Sequence, residues 1–123
     1  MGALDDGCGE LLAEIDAFYQ GFGQPDALTA ALRSALLLVP VTGDDRLLTS
    51  DYGGLTWICV FTSEVAYARY LADRGEFEHG GFRALLGSRV VDELIPALDR
   101  PAGVVVDVAG ASPMAFPPME VRA

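Results

Sequence analysis

Lysine and asparagine are missing from all 123 residues, histidine and tryptophan occur once each, and cysteine occurs twice. Each shortage removes a class of chemistry. Without Lys there is no amine for a Schiff base, and no Gly-Lys-Ser/Thr end to a phosphate-cradling P-loop. A single His, His79, leaves zinc short of ligands, because such sites converge three or four Cys, His or carboxylate groups. Cys8 lies in a polar stretch flanked by glycine and Cys59 lies inside an apolar run far from it. A disulfide is therefore not expected, and reduced thiols suit a cytoplasmic setting. Long apolar runs are lacking as well. The longest strongly apolar one, Ala35 to Val41, is far short of the roughly 18 to 20 residues of a membrane-spanning helix. Near the start, Asp5 and Asp6 stand where a secretory signal carries positive charge, and no apolar h-region follows.

Cationic residues are scarce too. Eight arginines face 18 carboxylates, a formal net charge of -10. Binding to phosphate backbones or anionic lipid depends on clustered cations releasing counterions, so neither nucleic acid nor membrane is an expected partner. What the chain has in plenty is Ala, Leu, Val and Gly; with Arg as its sole long cation, that bias fits a GC-rich coding genome. Hydrophobic residues make up 51% of the chain, enough to bury a continuous core without metals or disulfides, in a length usual for one domain.

Periodicity predicts the elements. Leu11, Leu12, Ile15, Phe18 and Tyr19 fall on one helical stripe within residues 10–20, closed by Gly21 and Gly23. Pro25 and Asp26 open a second helix through Leu28, Ala31 and Leu32 to Ser34. A buried strand follows at 35–42. A short strand at 46–50 and a turn at Asp51, Tyr52, Gly53 and Gly54 lead into an aromatic and β-branched strand at 55–61. In that strand Leu55, Trp57, Cys59 and Phe61 share one face and Ile58 and Val60 the other, so cover on both sides is expected. Thr62 and Ser63 cap a helix ended by Gly75, with Val65, Ala68 and Ala72 as its inner face. The glycine-rich stretch 75–81 reads as an exposed loop. Residues 82–86 suit an edge strand. A helix then starts at Gly87 and Ser88 and is kinked or ended by Pro96, and an apolar strand fills 103–108. Met114 to Phe116 can add one short edge strand. The fold class expected is α/β with an α+β tendency: one mixed sheet of about four to six strands, an early β-meander followed by helix-strand units, and helices packed on the sheet. The whole of 1–123 forms one domain, with 1–9 disordered, two helices in 10–34 and the sheet core in 35–118.

No constellation points to catalysis or to a metal or cofactor. His79 sits beside Glu76 and Glu78, where a base or ligand is imaginable, but a solvated loop histidine explains it more simply. Cys59 would have its thiol pKa raised by apolar neighbours, which suits a core residue rather than a nucleophile. Leu86-Gly87-Ser88-Arg89-Val90 lacks the second glycine of a nucleophile elbow, and Ser88 reads better as a helix cap. Asp44, Asp45 and Asp51 do not match the spacing of a calcium loop and suit turns. Asp107 is the most informative single residue, because it interrupts a valine run at the carboxyl end of a strand, where α/β sheets collect ligands. Ordering the turn after that strand is its simpler role. Trp57, Phe61, Thr62, Asp107, Met114 and Phe116 are the residues to which a partner could bind.

The order of segments is familiar. Leu38 to Val41 (Leu-Val-Pro-Val), the run Gly54-Leu-Thr-Trp-Ile-Cys-Val-Phe-Thr-Ser-Glu64, Leu85-Leu-Gly-Ser-Arg-Val-Val-Asp-Glu-Leu94 and Gly103-Val-Val-Val-Asp-Val-Ala-Gly110 together resemble the SseB N-terminal-domain-like family, particularly its members in high-GC Gram-positive bacteria. The resemblance covers roughly 35–118, and Val-Phe-Thr-Ser-Glu is its most specific piece. Some members are described as associated with type VII secretion, which implies an adaptor or regulatory domain, and the family supplies no catalytic residues to carry over. Two functions stay open. One is a noncatalytic interaction module, self-associating as a homodimer or capturing a protein partner. The other is a small-ligand binder or weak hydrolase using the strand ends near Asp107, Thr62 and Ser63.

Overall fold

A hairpin and a parallel crossover, both written in the sequence, organise the chain, and a computed structural model describes residues 8–44, 46–74 and 81–118. The hairpin joins β2 (Ser50–Tyr52) to β3 (Leu55–Val60) through Gly53 and Gly54. Both glycines have positive φ, +64° and +83°, as a two-residue turn of the primed kind requires. The crossover carries the chain from β3 through α3 (Glu64–Arg74), β4 (Phe82–Leu86) and α4 (Gly87–Arg89) to β5 (Ala102–Val106), which pairs parallel to β3 from Thr56↔Ala102 to Val60↔Val106. β6 (Met114–Phe116) then adds antiparallel to β5. The sheet order is β2-β3-β5-β6.

A second ribbon pairs β1 (Leu36–Pro40) with β4, antiparallel, from Leu36↔Leu86 to Pro40↔Phe82. It joins the larger sheet where Leu38 and Phe61 exchange backbone hydrogen bonds of 2.8 and 2.9 Å. Pro40 is tolerated inside β1 because its missing N–H lies on the side away from β4, beyond the reach of the ladder. The result is the mixed α/β arrangement expected, with the meander's first strand displaced: β2 lies at 50–52, meeting the expected strand only at Ser50 and running into the expected turn, and 46–49 contributes a single bridge, Val41↔Leu47.

One face of the sheet is sealed by α1 (Gly9–Tyr19), α2 (Pro25–Ser34) and a π-helical turn at Val90–Leu94. Leu11, Ile15, Leu28 and Leu32 meet Leu37, Val39, Ile58, Val60, Val104 and Val106 there. Only part of the predicted α1 stripe is used, since Leu12, Phe18 and Tyr19 remain exposed. The Tyr19 hydroxyl instead donates to the Pro113 carbonyl. Cys8 belongs to this core and donates its thiol hydrogen to the Leu36 carbonyl at 2.9 Å; residues 1–7 lie outside the described residues. The π turn closes through Ile95 N–H to the Val90 carbonyl, directly ahead of Pro96. Ser88 does not cap this segment, because the cap position is Leu86 and has no side-chain bond. Gly87 is there for space: a Cβ would fall 1.8 Å from the Leu32 carbonyl oxygen of α2.

The opposite face is covered by α3 at the Phe61 end. Phe61 is fully buried between Tyr67 and Tyr70, with ring centroids 5.4 and 5.0 Å away. The aromatic residues, not Val65, Ala68 and Ala72, form the inner face of this helix; Val65 is 68% exposed. Rings bury far more apolar area than the smaller side chains, so they decide which way the helix turns.

Candidate interaction face and strand-end cleft

Alternation along β3 places Thr56, Ile58 and Val60 under the helices, and Leu55, Trp57 and Cys59 on the other face. α3 reaches only the Phe61 and Cys59 end of that second face. Trp57 therefore lies at the margin of an open, shallow groove of about 390 Å³, lined by Ser50, Tyr52, Trp57, Cys59, Tyr70, Val105, Val108 and Ala115. None of these side chains is charged, in a chain of net charge -10. Tyr52 stands 81% exposed at the edge of the groove. The cover expected on both faces of β3 is thus present only in part, because one helix cannot span four strands. Cys59, expected in the core, lines the groove half-buried instead.

The indole of Trp57 is held in place by two neighbours. Its Nε1–H donates to the Tyr52 carbonyl at 3.3 Å. Its ring lies across Gly103, its partner in the parallel register, where a Cβ would come within 2.6 Å of Trp57 Cζ3 and 2.7 Å of the Phe116 carbonyl oxygen. The glycine ahead of the three valines of β5 is thus a seat for the ring, and the ring in turn covers the backbone that the glycine leaves bare.

Thr62 and Asp107 lie together at the carboxyl ends of β3 and β5. One oxygen of the Asp107 carboxylate accepts from the Thr62 backbone N–H at 2.9 Å, and the other accepts from the Thr62 hydroxyl at 2.7 Å. Asp107 N–H donates to the Val60 carbonyl, which extends the parallel ladder by one residue, and its own carbonyl accepts from Gly110 N–H. To do all this Asp107 adopts φ +52°, the one non-glycine residue in the left-handed region among those described. Next to the latch, Ser63 Oγ accepts from Ala66 N–H at 3.1 Å and caps α3. A cleft of about 370 Å³ opens there, bounded by Leu12, Asp16, Thr62, Ser63, Arg69, Asp107 and Ser112 among others.

Of the six residues named from the sequence as partner-binding candidates, the structure brings Thr62 and Asp107 into direct contact and leaves Trp57 open on the sheet face. Phe61, Met114 and Phe116 are buried; the first anchors the aromatic cluster, and the other two point from β6 into the main core. Tyr52, Val105 and Ala115 were missed. The signal for Val105 and Ala115 was strand parity, since each shares a face with Trp57 once the registers Cys59↔Val105 and Val105↔Ala115 are known. Asp44 accepts from the Thr42 hydroxyl and Asp51 from the Thr56 hydroxyl, so both serve turns and strand pairing. Asp45, Glu76, Glu78 and His79 lie outside the described residues. Among those described, no three side chains of metal-ligating type converge. Burial, and next the charge of Asp107, push the Cys8 thiol up to about 11, so at neutral pH it is a packed thiol and not a nucleophile.

No curated protein and no solved structure matches the chain. Comparison with protein families does give a match, to the SseB protein N-terminal domain, over residues 10–123. The chain belongs to that family, and the match includes the two N-terminal helices.

Proposed function

We propose, with membership of the SseB N-terminal domain family as the premise, that this chain is a noncatalytic protein-interaction domain that receives an apolar segment of a protein partner on the open sheet face around Trp57. The uncharged groove beside Trp57 carries this reading. A half-open aromatic, locked by Gly103 and the Tyr52 carbonyl, offers a large contact area that costs little ordering on binding, the usual character of an interface anchor. The chain's net charge of -10 limits nonspecific association through such a face. A bacterial host with a GC-rich genome and a role as adaptor in protein secretion are parts of the same proposal, supported by the Arg-only cation usage and by the family.

The test is co-purification from the native host with wild-type chain and with Trp57→Ala and Tyr52→Arg variants. A partner recovered with the wild type and lost with both variants, at unchanged circular dichroism, is the expected outcome. A partner retained by both variants rejects the face.

A second reading has the strand-end cleft as a small-ligand site. Its position outside the carboxyl ends of a parallel strand pair favours it. Against it, each carboxylate oxygen of Asp107 already accepts a hydrogen bond from Thr62, which leaves the group ill-placed to act as a general base.

A further inference from the structure

We infer that the chain forms a symmetric dimer in which β4 pairs antiparallel with β4 of a second copy, centred on Ala84. This goes beyond the Trp57 groove and uses a different surface. The ladder to β1 settles which way the β4 backbone points. Val41 N–H donates to the Gly81 carbonyl, and Gly87 N–H donates to the Ala35 carbonyl. With hydrogen-bonded pairs alternating along an antiparallel ladder, Gly81, Arg83, Leu85 and Gly87 turn their backbone groups toward β1. Phe82, Ala84 and Leu86 turn theirs outward, and no described strand pairs on that side.

Exposed strand edges are normally protected by proline, lysine, a bulge or a covering element. Among the described residues, the three outward-facing positions of β4 carry none of these. Their side chains are apolar and open, with Leu86 50% and Phe82 37% exposed, beside Leu36 of β1 at 45%. No carboxylate lies within β4, whose one charged residue is Arg83, so the strand itself adds no acidic repulsion between two copies of a chain of charge -10.

The occupant is a second copy because the strand is complementary to itself. Outward residues must meet outward residues, which leaves five registers, and the two centred on Phe82 or Leu86 pair only that terminal residue of the strand with its own copy. Centring on Ala84 pairs all five residues: Phe82 meets Leu86, the small Ala84 meets its own copy on the two-fold axis, and each Arg83 meets Leu85. Centring on Arg83 sets two like charges directly opposite, which is destabilising, and centring on Leu85 loses Phe82 and reaches into α4. Charge and overlap thus select one register. Pairing in it removes on the order of 400 Å² from each copy, about half the ~800 Å² per partner of a standard interface, so the dimer dissociates on dilution.

Sedimentation velocity of the full chain at physiological salt, from about 1 to about 500 µM, tests this. The expected result is a concentration-dependent monomer–dimer equilibrium, weakened at least tenfold in Ala84→Lys and in Ala84→Glu, whose solvent-facing substitutions leave the amide fingerprint of the fold intact. An equimolar mixture of the two variants, with opposite charges now facing across the axis, regains the dimer. A monomer throughout the range, including one that accepts only extended peptides from another protein, overturns the inference. So does a dimer that either variant leaves intact, or a mixture that stays monomeric. Trp57→Ala is expected to leave the equilibrium unchanged, so failure here and failure of the groove are told apart.

Discussion

The latch at the strand ends gives the sharpest quantitative prediction. Asp107→Ala removes two hydrogen bonds to a charged acceptor and leaves the half-buried Thr62 N–H to find water. With each bond contributing about 1 kcal/mol net in so accessible a place, the loss is about 2 kcal/mol. Alanine must also take up the left-handed conformation that Asp107 holds at φ +52°, which adds about 1 kcal/mol. The total is about 3 kcal/mol, or roughly a 2 M fall in urea midpoint for a slope of about 1.5 kcal/mol/M. Asp107→Gly relieves the backbone and should cost only about 2 kcal/mol, while Asp107→Asn keeps an acceptor for the amide and should cost about 1 kcal/mol or less. The ranking Asn, Gly, Ala is the signature of a latch. Urea unfolding followed by Trp57 emission and by far-ultraviolet circular dichroism measures it, with Thr62→Val closing a double-mutant cycle expected to show coupling of about 1 kcal/mol. Equal losses for Gly and Ala would refute the backbone contribution, and an Asn variant as damaged as Ala would refute the hydrogen-bond reasoning.

Gly87→Ala should be among the most damaging substitutions available, about 3 kcal/mol or more, because the new methyl would meet the Leu32 carbonyl oxygen at 1.8 Å; soluble yield and thermal melting will show it. Gly103→Ala should lift the indole of Trp57 from its seat, with a red shift of tryptophan emission and easier acrylamide quenching, at a smaller cost in stability. Stability should also fall as pH rises. The Cys8 thiol is raised from about 9 to about 11 by burial, so the folded chain holds that proton more tightly than the unfolded one; the contribution is complete below pH 9 and is lost toward pH 11. In Cys8→Ala the alkaline slope of the urea midpoint should shrink over that window, and an unchanged slope would count against the assignment.

Where the sequence spoke through period and punctuation, it was legible. The two N-terminal helices, the edge strand at Phe82–Leu86 and the final strand at Met114–Phe116 stand where they were expected, since proline, glycine and β-branched runs act locally. The Trp57 face was harder to read. Apolar residues on both faces of β3 suggest cover on both sides, and only the length of α3 and the turn of Tyr67 and Tyr70 onto Phe61 decide that Trp57 stays open. Those are tertiary facts. Likewise Thr62 and Asp107 stand 45 residues apart, and nothing local announces that their side chains meet. The roles of Gly87 and Gly103 are invisible from propensity, because each answers to an atom brought near by another element.

The parallel register between β3 and β5 also bears on synthesis. β3 leaves the ribosome with its hairpin partner β2 already made, but the strand that covers its other edge, beginning at Ala102, follows roughly 46 residues later, a delay of several seconds at 5–20 residues per second. Throughout that interval the nascent chain carries Leu-Thr-Trp-Ile-Cys-Val with one row of backbone groups unpaired. Production of this protein should therefore be limited by aggregation during translation, and should respond to slower elongation in opposite ways before and after residue 102.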